Sequence, residues 1–110
     1  MPQNTIKEIS VQELYEMKKR HDEFQLIDVR ESDEFDFANI GGELIPLGTL
    51  LNNVEKVRKD ITVVIHCRSG HRSARAVQEL QNRFGYTNLY NLKGGILAWS
   101  REIDSSIPQY

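Results

Sequence analysis

Ile61-Thr62-Val63-Val64-Ile65-His66-Cys67-Arg68-Ser69-Gly70-His71-Arg72-Ser73 is the stretch on which the rest of the chain turns. Its first six residues are rich in β-branched side chains and too apolar for a half-exposed strand, so they belong in the middle of a sheet covered on both faces. Cys67 follows at once. Beyond the loop, Ser73, Val77, Leu80 and Phe84 recur at helical spacing and Gly85 supplies a stop, which predicts an amphipathic helix. A cysteine is thereby placed where a central strand ends and a helix begins, the usual location of ligand sites in open parallel α/β sheets.

Working outward, the pattern alternates. A short strand is expected around Ile6–Ile9, and Ser10-Val11-Gln12-Glu13 has the form of a capping box opening a helix over residues 11–20. Gln25-Leu26-Ile27-Asp28-Val29 reads as a buried parallel strand with Asp28 and Arg30 at its C-terminal end. Ser32-Asp33-Glu34-Phe35 opens a brief helix, Gly41-Gly42 interrupts, Leu44-Ile45-Pro46 is extended, and Leu47 to Val57 is helical. A last strand near Asn88–Leu92 and a helix from Gly95 to Ile103 complete the series. The expected fold is α/β: an open, mostly parallel five-stranded sheet with helices on both faces. The 110 residues, with 39% hydrophobic content, suit one domain over 1–110 with a modest core.

Composition narrows the function. A 27% charged fraction with no apolar run near 18 residues excludes a membrane span. Met1-Pro2-Gln3-Asn4-Thr5 lacks the basic and apolar segments of a secretory signal, so a cytoplasmic setting is the expectation. Residues 1–55 hold 5 Lys+Arg against 12 Asp+Glu and residues 56–110 hold 9 against 4. Either the halves interleave on folding and the split dissolves, or it marks a positive field around Cys67. No nucleic-acid or membrane partner is expected, and no cofactor or metal.

One cysteine forms no internal disulfide; in an intracellular enzyme it is a buried small hydrophobe or a nucleophile. The loop favours the second. Backbone N–H groups of Arg68-Ser69-Gly70-His71-Arg72 can wrap the sulfur while the next helix points its positive end at it, which favours the thiolate. The same cradle suits a persulfide. Gly70 permits backbone angles closed to other residues, Ser69 can offer a hydroxyl to the sulfur, and Arg68 and Arg72 are natural binders of a small anionic sulfur donor. His71 is a solvated loop residue or a source of positive charge, His66 packs in the strand, His21 is exposed, and Trp99 is a core or rim aromatic.

Three blocks, Leu26-Ile27-Asp28-Val29-Arg30-Glu31 with Glu34-Phe35, then Cys67 to Ser73, then Leu92-Lys93-Gly94-Gly95-Ile96-Leu97-Ala98-Trp99, resemble the rhodanese (thiosulfate sulfurtransferase) homology family. The likeness runs from Leu26 to the C-terminus, with weaker support before it. It implies a catalytic Cys67, a substrate-binding loop from Arg68 to Arg72, a structural charged pair between Arg30 and Glu34, and support from Asp28 and Ser73. Where the family carries a His-Ile-Pro-Gly-Ala stretch, this chain has Asn39 to Pro46, and the chemistry does not need it. With the ending Ala98-Trp99-Ser100-Arg101-Glu102-Ile103, the variant is similar to rhodanese domains attached to adenylyltransferases of molybdopterin and thiamine synthesis. That implies a protein partner, a sulfur donor or a small sulfur carrier, as an alternative to a small-molecule acceptor.

Two rival functions follow from the same residues. Phosphatases and arsenate reductases of this fold type need five residues between cysteine and arginine; here four separate Cys67 from Arg72, and a tighter loop suits one sulfur atom. A non-catalytic interaction module would be expected to lack the cysteine.

Overall fold

The computed structural model describes residues 5–110; residues 1–4, part of the stretch read for a leader, lie outside them. Five strands, β1 (Glu8–Ile9), β2 (Phe24–Asp28), β3 (Glu43–Leu44), β4 (Thr62–His66) and β5 (Leu89–Leu92), form one sheet in the order β1-β5-β4-β2-β3. Every pairing is parallel. The run Thr62–His66 is the middle strand, as its apolarity requires: Val63, Val64, Ile65 and His66 are all fully buried.

Alternation along β4 separates two cores. Val63 and Ile65 join Ile27, Leu89 and the apolar sides of α3 (Leu47–Leu50) and α4 (His71–Phe84). Val64 joins Leu26, Leu92, and residues of α1 (Val11–Lys19) and α5 (Gly95–Glu102) on the other face. Burying Val77 and Leu80 of α4, both without exposed surface, contributes about 1.5–3 kcal/mol each. Helix α1 carries the expected capping box: the Ser10 hydroxyl accepts from the Glu13 amide and the Glu13 carboxylate accepts from the Ser10 amide.

Two expectations need correction. Residues 47–57 do not form one helix: α3 lasts four residues and a 3-10 helix, Leu51–Lys56, replaces it. Asn53 leaves helical angles (φ −127°, ψ 28°) while its side-chain amide donates to the Thr49 carbonyl at 2.8 Å, so a local side-chain bond competes with the helix ladder. Phe84 ends α4 at 38% exposure. After the turn at Gly85 (φ +71°), Tyr86 covers that end of the core instead, its hydroxyl donating to the Val57 carbonyl at 2.7 Å with the Val54 carbonyl 3.1 Å away. Helix α2 (Ser32–Phe37) brings Glu34 beside the loop after β4. Among the described residues no helix is long and apolar enough to cross a membrane.

Candidate active site

Cys67 leaves β4 and its thiol sits under the N-terminus of the 14-residue helix α4. The Gly70 amide donates to Sγ at 3.1 Å and the Ser73 amide at 3.4 Å, and the Ser73 hydroxyl lies 3.4 Å away. Burial raises the thiol pKa. The Ser73 hydroxyl and the amides of Ser73, Gly70 and Ser69 outweigh it and leave the group below its ordinary value, because each interaction favours the anion. The residue is only 1% exposed, so a reagent must reach the sulfur end-on. Gly70 stands at φ +114°, a conformation that turns its amide toward the sulfur and that L side chains rarely adopt.

Ser69 differs from expectation: it contributes its backbone amide, whereas its side chain is exposed and the hydroxyl at the sulfur belongs to Ser73. That hydroxyl has a second neighbour, Asn91 Oδ1, at 2.5 Å. The Asn91 amide is fixed in this orientation because its nitrogen donates to Glu8 at 2.9 Å and to the Gly70 carbonyl at 3.3 Å. One hydroxyl carries one proton. Ser73 therefore donates to Asn91 while the thiol is protonated and to the sulfur once it ionises.

Helix α5 supports the loop from the other side. The Ile96 and Leu97 amides donate to the carbonyls of Cys67 and Arg68 at 3.0 and 3.1 Å. A Cβ on Gly95 would stand 2.5 Å from the Arg68 oxygen and 2.6 Å from the Cys67 oxygen, so only glycine lets the helix start this close. The fully buried His66 points Nδ1 at the Cys67 carbonyl, 3.2 Å away, which places its proton there, since a carbonyl only accepts. Desolvation is the main cause that lowers the imidazole pKa, with Arg30 and Lys18 adding to it against Asp28.

The charged pair implied for Arg30 and Glu34 is not formed. The Arg30 guanidinium, wholly buried, takes the Asp28 carboxylate at 2.7 and 2.9 Å, the Ala38 carbonyl at 2.7 Å and the Tyr110 hydroxyl at 2.7 Å. A guanidinium without solvent needs a counter-charge that is buried with it, and Asp28 is that group. Arg30 meets Glu34 only at its main-chain oxygen, 3.4 Å away. The Glu34 carboxylate instead grips Arg72 with two bonds, 2.7 and 2.9 Å, and accepts from Tyr110 at 2.9 Å. The Arg72 fork is the main cause that holds the Glu34 carboxyl down, to about 2, against the opposing effect of burial.

Both loop arginines are thus engaged within the protein. Arg68 stacks on the Tyr110 ring, 5.1 Å from its centroid, and donates to the Tyr110 main-chain oxygen. His71 is the first residue of α4 and is exposed. Asn91 and Tyr110 are the contributors that the sequence did not single out, and Gly95 was quoted only within the third block and as a helix start. An asparagine inside the apolar strand Leu89-Tyr90-Asn91-Leu92 was a usable signal, since a buried amide has to be bonded. No local signal marked Tyr110.

The model of the Rhodanese-like domain family matches residues 10–102. The chain belongs to the rhodanese-like family. An uncharacterised protein of Bacillus subtilis, YqhL, is 44% identical over 80 residues, which is 72% of this chain and 63% of that protein. A probable adenylyltransferase/sulfurtransferase of Mycobacterium tuberculosis, MoeZ, is 37% identical over 77% of this chain and 22% of its own length. This rhodanese-like chain therefore spans less than two thirds of either relative. The crystal structure of a rhodanese-like domain protein from Staphylococcus aureus superposes with a TM-score of 0.81 at 29% identity, covering 96% of this chain and 99% of that one. The rhodanese-like architecture is the five-stranded parallel α/β sheet described above.

Proposed function

We propose that this rhodanese-like chain is a sulfurtransferase that carries a sulfane sulfur as a persulfide on Cys67. The observation that carries the reading is the convergence of the Gly70 amide, the Ser73 amide and the Ser73 hydroxyl on Sγ, at 3.1, 3.4 and 3.4 Å. A pocket of this kind stabilises a thiolate before transfer and an outer anionic sulfur after it. Relationship to MoeZ over 77% of the chain supports the same reaction class.

The reaction has two halves. The Cys67 thiolate attacks the outer sulfur of a donor; a new S–S bond forms, the donor's own bond to that sulfur breaks, and the electron pair departs on the donor, as sulfite from thiosulfate or as a thiolate from a persulfide. An acceptor nucleophile, cyanide or a thiolate, then attacks the terminal sulfur, and the pair in the Cys67–S bond returns to Cys67. Ser73 follows the charge, its proton shared between Asn91 and sulfur. The donor is a small anionic molecule or a persulfide-bearing protein, and a sulfur-carrier protein is an alternative acceptor.

Intact mass after incubation with thiosulfate, and separately with a persulfide-bearing desulfurase, tests the proposal. Wild-type protein gains one sulfur atom, removed again by cyanide, and Cys67→Ser gains none. Unchanged mass with both donors, or turnover of an aryl phosphate without sulfur uptake, sinks the assignment.

A further inference from the structure

We infer that this site takes sulfur from a thiol persulfide, R–S–SH, in preference to thiosulfate, and that Glu34 sets the preference; the inference rests on the sulfur-transfer reading above. Thiosulfate presents a dianion whose three oxygens need a cationic fork. The loop has two guanidinium groups, and neither is free. Arg72 spends its fork on the Glu34 carboxylate with bonds of 2.7 and 2.9 Å, and Arg68 is stacked on Tyr110. A bidentate guanidinium–carboxylate pair is among the stronger charge-assisted contacts, so a sulfonate head must compete with a partner already in place. Glu34 is itself held by three donors: Arg72, Tyr110 and the Glu31 amide at 2.9 Å.

Shape points the same way. Cys67 is 1% exposed, and attack requires the donor's outer sulfur to enter the loop. In thiosulfate the next atom carries three oxygens. In a persulfide it is a two-coordinate sulfur, slim enough to follow. Arg72, though not Cys67, borders a groove of about 580 Å³ whose walls mix Leu47, Leu50 and Leu51 with the charged Arg75 and Glu79. The organic group of a persulfide can extend along those leucines; thiosulfate has no apolar part to place on them. The step balances without an added oxidant: the Cys67 thiolate takes the outer SH sulfur of R–S–SH, R–S⁻ leaves with the electron pair, and the proton of the resulting Cys67 persulfide passes to solvent.

The experiment compares thiosulfate with glutathione persulfide as donors to the full chain, wild type and Glu34→Gln, with a thiol acceptor at saturation. The wild type shows a kcat/KM for the persulfide at least roughly tenfold above that for thiosulfate, and Glu34→Gln lowers the thiosulfate KM by about tenfold with kcat held, while persulfide values move less than about threefold. A merely structural Glu34 would instead depress kcat for both donors together, and that outcome overturns its role. If Glu34→Gln does not fold, the wild-type donor ratio alone decides. Equal use of both donors by the wild type overturns the inference and leaves sulfur transfer standing; failure of both to load Cys67 overturns sulfur transfer itself.

Discussion

At the scale of the residue, the sulfur of Cys67 is governed by a neighbour six positions on. Ser73 supplies both an amide and a hydroxyl, and the hydroxyl is the larger of the effects that pull the thiol down. Ser73→Ala removes the mobile proton and leaves Asn91 Oδ1 without its partner. Alkylation of Cys67 by iodoacetamide at neutral pH should slow by roughly tenfold, the equivalent of one hydrogen bond to a charged group, with the profile of rate against pH displaced upward. An unchanged profile would show that the amides alone hold the thiolate. Position 67 was readable from the sequence because strand end, glycine and helix start are all local. The partner of Arg72 was not: Glu34 lies 38 residues away, and only the tertiary fold brings it closer to Arg72 than to Arg30.

Among the elements, those with a strong local signature were legible. β4 announced itself by composition, α4 by its spacing and its Gly85 stop, and α1 by the Ser10–Glu13 box. Leu47–Val57 misled because the apolar spacing fits a helix while the two asparagines do not, and the Asn53 side chain settles the contest by bonding back to Thr49. The junction of α5 with the loop was quoted as Gly94-Gly95, yet its purpose is visible only when the helix is seen to abut Cys67 and Arg68. Gly95→Ala tests it. With φ +59° and a Cβ at 2.5 Å from a carbonyl oxygen, backbone on both sides must shift; a loss of stability on the order of 2 kcal/mol or more is expected, read as a lower urea midpoint at unchanged slope. Sulfur uptake should fall with it, since the Ile96 and Leu97 amides anchor the loop. A substitution that is silent in both would show that the contact is dispensable.

For the whole molecule, the uneven charge along the chain is bridged beside the sulfur by one pair, Glu34 of the acidic half with Arg72 of the basic half, while Asp28 holds Arg30 from its own half. Acid stability carries the signature. His66 and Glu34 both have folded-state pKa values below their ordinary ones, so the unfolded chain binds more protons and stability declines as pH falls. His66 begins the decline below 6.5. Glu34 adds to it between 4.5 and about 2. Urea midpoints measured across this range should fall in those two stretches, and Glu34→Gln should flatten the lower one. A midpoint that rises on acidification from 6.5 would contradict a neutral buried imidazole.

Cys67 also hangs from the central strand of the five, β4, whereas β1 and β3 at the margins are two residues each. Marginal strands of that length peel away at small cost, and interior ones exchange their amide protons only when the entire chain opens. Warming should therefore fray the periphery while the Cys67 loop stays assembled, so that the temperature at which sulfur uptake disappears coincides with global melting and does not precede it.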